Sequence, residues 1–170
     1  MKNNAVLKIM AVLLATSLLI MACVSLVGCG DSANRTKFGD ISFILPDKWT
    51  AEVNGDKLEI KVEDRSGTQS CAGVFTEGEA GPDVDASLDG IVTASLKGIQ
   101  GDLIDASKDK IAGMPARVVK FQSEQSTGIT VTYYLVVVAG DKGMTSLILS
   151  TSNTDVCKDY ESIIDSIKKS

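Results

Sequence analysis

Residues 129–138 read ITVTYYLVVV, and the second half of that run decides the fold. Successive side chains of a strand face opposite ways. From Tyr133 to Val138 both faces are apolar, so this strand belongs in the middle of a sheet with cover on each side. Tyr133 and Tyr134 then point to opposite faces; one belongs to the core under a helix, and the other can edge a groove. Working outward, Arg117 to Ser123 and Met144 to Thr151 read as antiparallel neighbours. They are joined through the short, Gly-containing links Ser126-Thr127-Gly128 and Gly140-Asp141-Lys142-Gly143. Leu103 to Ile111 is extended and turns at Ala112-Gly113-Met114-Pro115.

The front half has the same character. Ile41, Phe43 and Leu45 alternate with Ser42 and Ile44 until Pro46 stops the run. Trp49 to Val53 forms a strand, and Asn54-Gly55 signals a type I′ hairpin. Leu58, Ile60 and Val62 return with a wet face of Lys57, Glu59 and Lys61, and Gln69 to Thr76 places Cys71, Gly73 and Phe75 on one face. Two helices follow the strand groups. Leu88, Ile91, Val92, Leu96 and Ile99 make one apolar stripe at spacings of three and four. Val156, Cys157, Tyr160, Ile163, Ile164 and Ile167 make the other, in a helix from about Asp155 to Lys168. Asp83, Asp85 and Asp89 suit the positive end of the first helix, and Lys168 and Lys169 the negative end of the second. The expected class is α+β: an antiparallel sheet of about six to seven strands with helices packed on its faces.

The first thirty residues are of another kind. Lys2 and Lys8 precede an unbroken apolar run from Ile9 to Val27, the pattern of a secretory leader. The run is also long enough to span a bilayer, so its end decides the reading. Leu26-Val27-Gly28-Cys29 resembles the bacterial lipobox. Small residues there admit a signal peptidase, and the cysteine thiol accepts a diacylglyceryl group. Two or more acyl chains give stable anchoring where one would be marginal. Ile20-Met21-Ala22-Cys23 is a weaker competitor, with bulky Met21 and an apolar continuation. The expected organisation is a lipoprotein signal peptide over 1–28, a lipidated Cys29 with a polar tether over 29–37, and one domain over 38–170. Localisation follows: the cell membrane, lipid-anchored, on the extracytoplasmic face, with the bilayer as first partner.

Composition narrows the chemistry. The leader holds two of the 17 basic residues and none of the 22 acidic ones, so the chain beyond it carries −7 where the whole carries −5. Such a surface repels nucleic acid, and no nucleic-acid partner is expected. Histidine is absent, which removes the Ser-His-Asp and Cys-His arrangements and the commonest general base. No enzyme, catalytic residue, metal site or cofactor is read from the sequence. Asp83, Asp85, Ser87 and Asp89-Gly90 only superficially resemble a calcium loop, since the glycine comes two places late and Ala94 replaces the bidentate Glu.

A resemblance rests on Phe43-Ile44-Leu45-Pro46-Asp47-Lys48-Trp49 and on Ile111-Ala112-Gly113-Met114-Pro115-Ala116 ahead of a strand. Tyr133-Tyr134 and the closing Asp165-Ser166-Ile167-Lys168 complete it. With these the chain resembles the PsbP-like group, named for an extrinsic protein of photosystem II, whose fold a eukaryotic Ran-binding protein shares. The resemblance covers roughly Phe38 to Lys169. It implies an α/β/α sandwich, and accessory, assembly or binding roles rather than a common reaction; these are packing and turn positions, so no functional residue is carried across.

Two groups remain as candidates. Cys71 and Cys157 survive processing, and their compartment permits a disulfide; two separately packed thiols satisfy the sequence equally well, and a redox or metal role is a lesser third reading. Trp49, Tyr133 and Tyr134 are candidates to line a ligand groove, although Trp49 reads first as an aromatic anchor of the core. The function expected is a membrane-tethered binding or accessory module, which could serve an envelope protein complex. The alternative is a carrier lipoprotein for a small ligand or cation.

Overall fold

The computed structural model describes residues 35–62, 69–78 and 81–170. Cys29 and the lipobox residues Leu26, Val27 and Gly28 lie outside them. Ten strands and two helices follow in the order β1 (Arg35–Phe38), β2 (Ile41–Ile44), β3 (Thr50–Asn54), β4 (Lys57–Lys61), β5 (Gln69–Glu77), α1 (Val84–Ile99), β6 (Asp102–Ile111), β7 (Met114–Glu124), β8 (Thr130–Ala139), β9 (Gly143–Thr151), α2 (Thr154–Asp165) and β10 (Lys168–Lys169). Seven strands form one antiparallel sheet in the order β3-β4-β5-β9-β8-β7-β6, and β1-β2-β10 form a small second sheet.

The central strand is β8, hydrogen-bonded to β7 on one side and β9 on the other. Its even-numbered residues Tyr134, Val136 and Val138 enter a core shared with α2 and the small sheet. Its odd-numbered residues Leu135, Val137 and Ala139 enter a second core under α1, with Leu88 and Phe121. From Tyr134 to Ala139 every residue is buried. The result is an α/β/α sandwich in which the small sheet shares one outer layer with α2.

Close approach of that small sheet depends on Gly73. A methyl group there would lie 2.8 Å from Leu147 Cδ2 and 2.9 Å from Phe38 Cε1. The domain also starts before the expected boundary of residue 38, because Arg35–Phe38 pair with β2. The Arg35 guanidinium donates to Ser42 Oγ at 3.1 Å, to the Ser42 carbonyl at 2.8 Å, and to the Ser166 carbonyl. These bonds take residues 35–37 out of the expected tether and into the fold.

Two other expectations are corrected. The last helix stops at Asp165, and Lys168 and Lys169 pair with Ser42 and Ile41 instead of closing a helix dipole. Ser166 ends the helix: its Oγ accepts from Ile44 N at 2.8 Å and donates to the Ile163 carbonyl at 2.7 Å. The β3–β4 hairpin turns on Gly55-Asp56, one residue later than Asn54-Gly55, because Asn54 pairs with Lys57. Gly55 alone has positive φ (63°), the sign pattern of a type II′ turn. A type I′ sign pattern occurs instead at Ala112-Gly113, with φ of 50° and 83° between the paired Ile111 and Met114.

The acidic start of α1 does more than offset a dipole. Asp83 is its cap, accepting from Ala86 N at 2.9 Å. Asp85 and Asp89 reach instead to Arg117, at 2.6 and 2.8 Å, whose side chain is only 6% exposed. A buried guanidinium on β7 thus pins α1 to the sheet. Removing both carboxylates strands that charge, whereas removing the arginine leaves two carboxylates that water can solvate. The double change Asp85→Asn with Asp89→Asn is therefore expected to lower stability by about 2–3 kcal/mol, more than Arg117→Met does. Denaturant titration of the three chains checks the order, and a costlier Arg117→Met would refute the account.

Candidate functional site

The structure gathers four of the five candidate side chains around a residue that the sequence offered only as one member of a stripe. Tyr160 on α2 is fully buried. Trp49 meets it edge-on at 5.8 Å between ring centroids, and Tyr134 does the same at 5.9 Å. The Cys71 thiol donates to the Tyr160 hydroxyl at 3.2 Å, and that hydroxyl donates to the Ser150 carbonyl at 2.8 Å. Cys157 lies three residues before Tyr160 on α2. Burial first, then hydrogen bonding and the nearby Cys157 sulfur, push both the Tyr134 and the Tyr160 phenols above their ordinary range. Tyr133 is the candidate left out. It lies on the opposite face, stacked on Phe121 at 5.0 Å with the rings nearly parallel.

The two cysteines are free thiols. Of the two arrangements the sequence left open, the structure contains the separately packed one, and the disulfide is not formed. Burial pushes the Cys71 thiol up to about 11, with the Tyr160 hydrogen bond working the other way. At neutral pH Cys71 is therefore a protonated, unreactive group. Cys157 is half-buried, its sulfur 3.9 Å from the Asn153 carbonyl.

Beside this cluster a groove of about 290 Å³ opens between the end of α2 and strands β6 and β7. Val118 and Ile164 give it apolar walls, Ser107 a hydroxyl, and Asp105, Lys120, Glu161 and Asp165 its charges. Tyr134 joins groove to cluster: its hydroxyl donates to Glu161 Oε1 at 2.7 Å, while its ring packs on Tyr160. Lys120 Nζ donates to the same oxygen at 3.3 Å and stands 4.9 Å from the centre of the Tyr134 ring. The tyrosine hydrogen bond first, with help from Lys120, holds the Glu161 carboxyl below its ordinary range. Among the described residues no three His, Cys, Asp or Glu side chains converge to hold a metal ion. A larger hollow of about 520 Å³ lies near the Ala112-Gly113 turn, but its charged lining residues, Asp141 and Lys169, are already paired at 2.7 Å.

The difference in burial between the thiols is open to chemical labelling. Iodoacetamide is expected to modify Cys157 well before Cys71 in the native chain, and both after denaturation without reductant; failure to label both would restore the disulfide. The Glu161 carboxyl is open to titration. A depressed carboxyl pKa gives stability that is full above the unfolded value and fades as pH falls through the folded one. Tyr134→Phe is thus expected to raise the Glu161 pKa and move that acid-side loss to higher pH. NMR titration of the carboxyl reads it, and an unmoved value would contradict the assignment.

No family model and no curated protein matches the chain. Solved structures do. Cyanobacterial PsbP (CyanoP) from Synechocystis sp. PCC 6803 aligns with a TM-score of 0.51 at 16% identity, over 87% of this chain and 99% of its own. LpqN of Mycobacterium tuberculosis, described as involved in cell envelope biogenesis, aligns at 0.52 and 17%, over 75% and 82%. A Bacteroides thetaiotaomicron structure aligns at 0.49 and 16% over 79% of this chain, which spans about half of that protein's length (49%). Among the described residues no helix is long and apolar enough to cross a membrane. The described domain has a PsbP-like α+β fold.

Proposed function

We propose that the chain is a lipid-anchored, extracytoplasmic accessory module that binds a component of the cell envelope and catalyses no reaction. The observation that carries the reading is Leu26-Val27-Gly28-Cys29 at the end of an apolar leader with a basic start. The PsbP-like fold supports it, since one protein of that shape, LpqN, is described as involved in cell envelope biogenesis. The surface groove beside α2 supports binding, and the absence of histidine from the sequence argues against the commonest hydrolytic arrangements.

Intact-mass analysis of the membrane-extracted protein tests the anchor. The expected product has lost residues 1–28 and carries a diacylglyceryl adduct on Cys29, and Cys29→Ala is expected to abolish both the adduct and the processing. An unmodified precursor in the wild-type membrane fraction would overturn the anchor. Crosslinking in intact membranes tests the role: an enriched envelope protein supports the accessory reading, and its absence together with a ligand-induced melting shift would favour the carrier.

A further inference from the structure

The groove beside α2 has an electrostatic imbalance that its own residues do not resolve. Asp105, Glu161 and Asp165 contribute three carboxylates and Lys120 one ammonium. Lys120 is committed to Glu161, and Asp105 and Asp165 have no ion-pair partner among the described residues. The position of Lys120 shows which chemistry the groove accepts, since its ammonium uses both a carboxylate and the Tyr134 ring. The carboxylates are too dispersed to close around a metal ion. A volume of about 290 Å³ is at the lower limit for small-molecule pockets and suits one long side chain.

The neighbouring strand adds a separate observation. β6 ends the seven-stranded sheet, so its outer edge has no strand partner among the described residues. The register breaks between Leu103 and Asp105, and pairing with β7 is then regular from Asp105 to Ile111. An open edge accepts an extended segment, whose alternate side chains fall on one face. That face, at Asp105 and Ser107, is the wall of the groove.

We infer that the groove and the β6 edge together bind an extended, arginine-bearing segment of a partner polypeptide, with one guanidinium lodged among Asp105, Glu161 and Asp165. A guanidinium fits better than a second ammonium because its fork of donors reaches separated carboxylates. The inference rests on the proposed accessory role and supplies the chemistry of its partner.

The test is calorimetric titration of the full chain in detergent micelles with the peptide acetyl-Ala-Arg-Ala-Arg-Ala-amide. Its counterpart with Glu for Arg and free arginine amide serve as comparisons. The arginine peptide is expected to bind, weaken with added salt, and lose at least tenfold in affinity in the exposed double variant Asp105→Asn with Asp165→Asn. Lys120→Gln, which removes the competing ammonium, is expected to tighten binding severalfold, an effect that mere structural damage would not produce. No binding, equal binding of the Glu peptide, or indifference to the double variant would overturn the proposal. Equal binding of arginine amide would overturn the polypeptide as occupant. Because the titration needs no anchor and no native partner, its failure would leave the lipoprotein reading to its own mass and crosslinking tests.

Discussion

β8 must lose water on both of its faces, and this requirement organises the domain. Two opposed apolar faces need two covers, and one helix cannot supply both. α1 takes the side of Leu135 and Val137, while α2 and the small sheet take the side of Tyr134, Val136 and Val138. Burial of large apolar side chains contributes roughly 1.5–3 kcal/mol each, so a strand this apolar makes every uncovered alternative costly. The flanking strands inherit the alternation: on β7, Ala116 faces one core and Val119 and Phe121 the other.

That division explains why the polar interactions lie where they do. Arg117 shares a face with Val119 and Phe121, so its charge is buried beneath α1 unless the helix brings carboxylates to it. Lys120, on the opposite face, emerges at the margin of α2 and meets Glu161 in solvent. The same strand therefore holds one basic residue that fixes a helix and another that borders an open groove.

Much of this was legible from local pattern. The apolar run of β8, the stripe of α1 and the alternation of β4 each depend on residues close in sequence. Arg117 was not, because its partners lie 28 and 32 residues earlier and strand periodicity alone does not say what stands above it. The stripe that ends in Ile167 continues helical spacing past Asp165, yet only the distant β2 offers Lys168 and Lys169 their backbone partners. The Asn-Gly pair located the β3–β4 hairpin, but pairing of Asn54 with Lys57 set its register. For the site, Trp49 and Tyr134 were visible as aromatics, whereas Tyr160 as their common neighbour required the helix to be docked. A single phenol among aliphatic side chains and one thiol was the available signal.

Both ends of the described domain belong to one small sheet, with β1 and β10 flanking β2. Tension entering along the chain from residue 34 would meet the Arg35–Ile44 end of the β1–β2 ladder first. Strand pairs loaded from one end open one bond at a time, so such a hairpin would peel under small forces. Arg35 changes that path, because its guanidinium ties the first rung to Ser42 and to the end of α2 at Ser166. The pull is thereby shared between a strand and a helix docked on the main sheet.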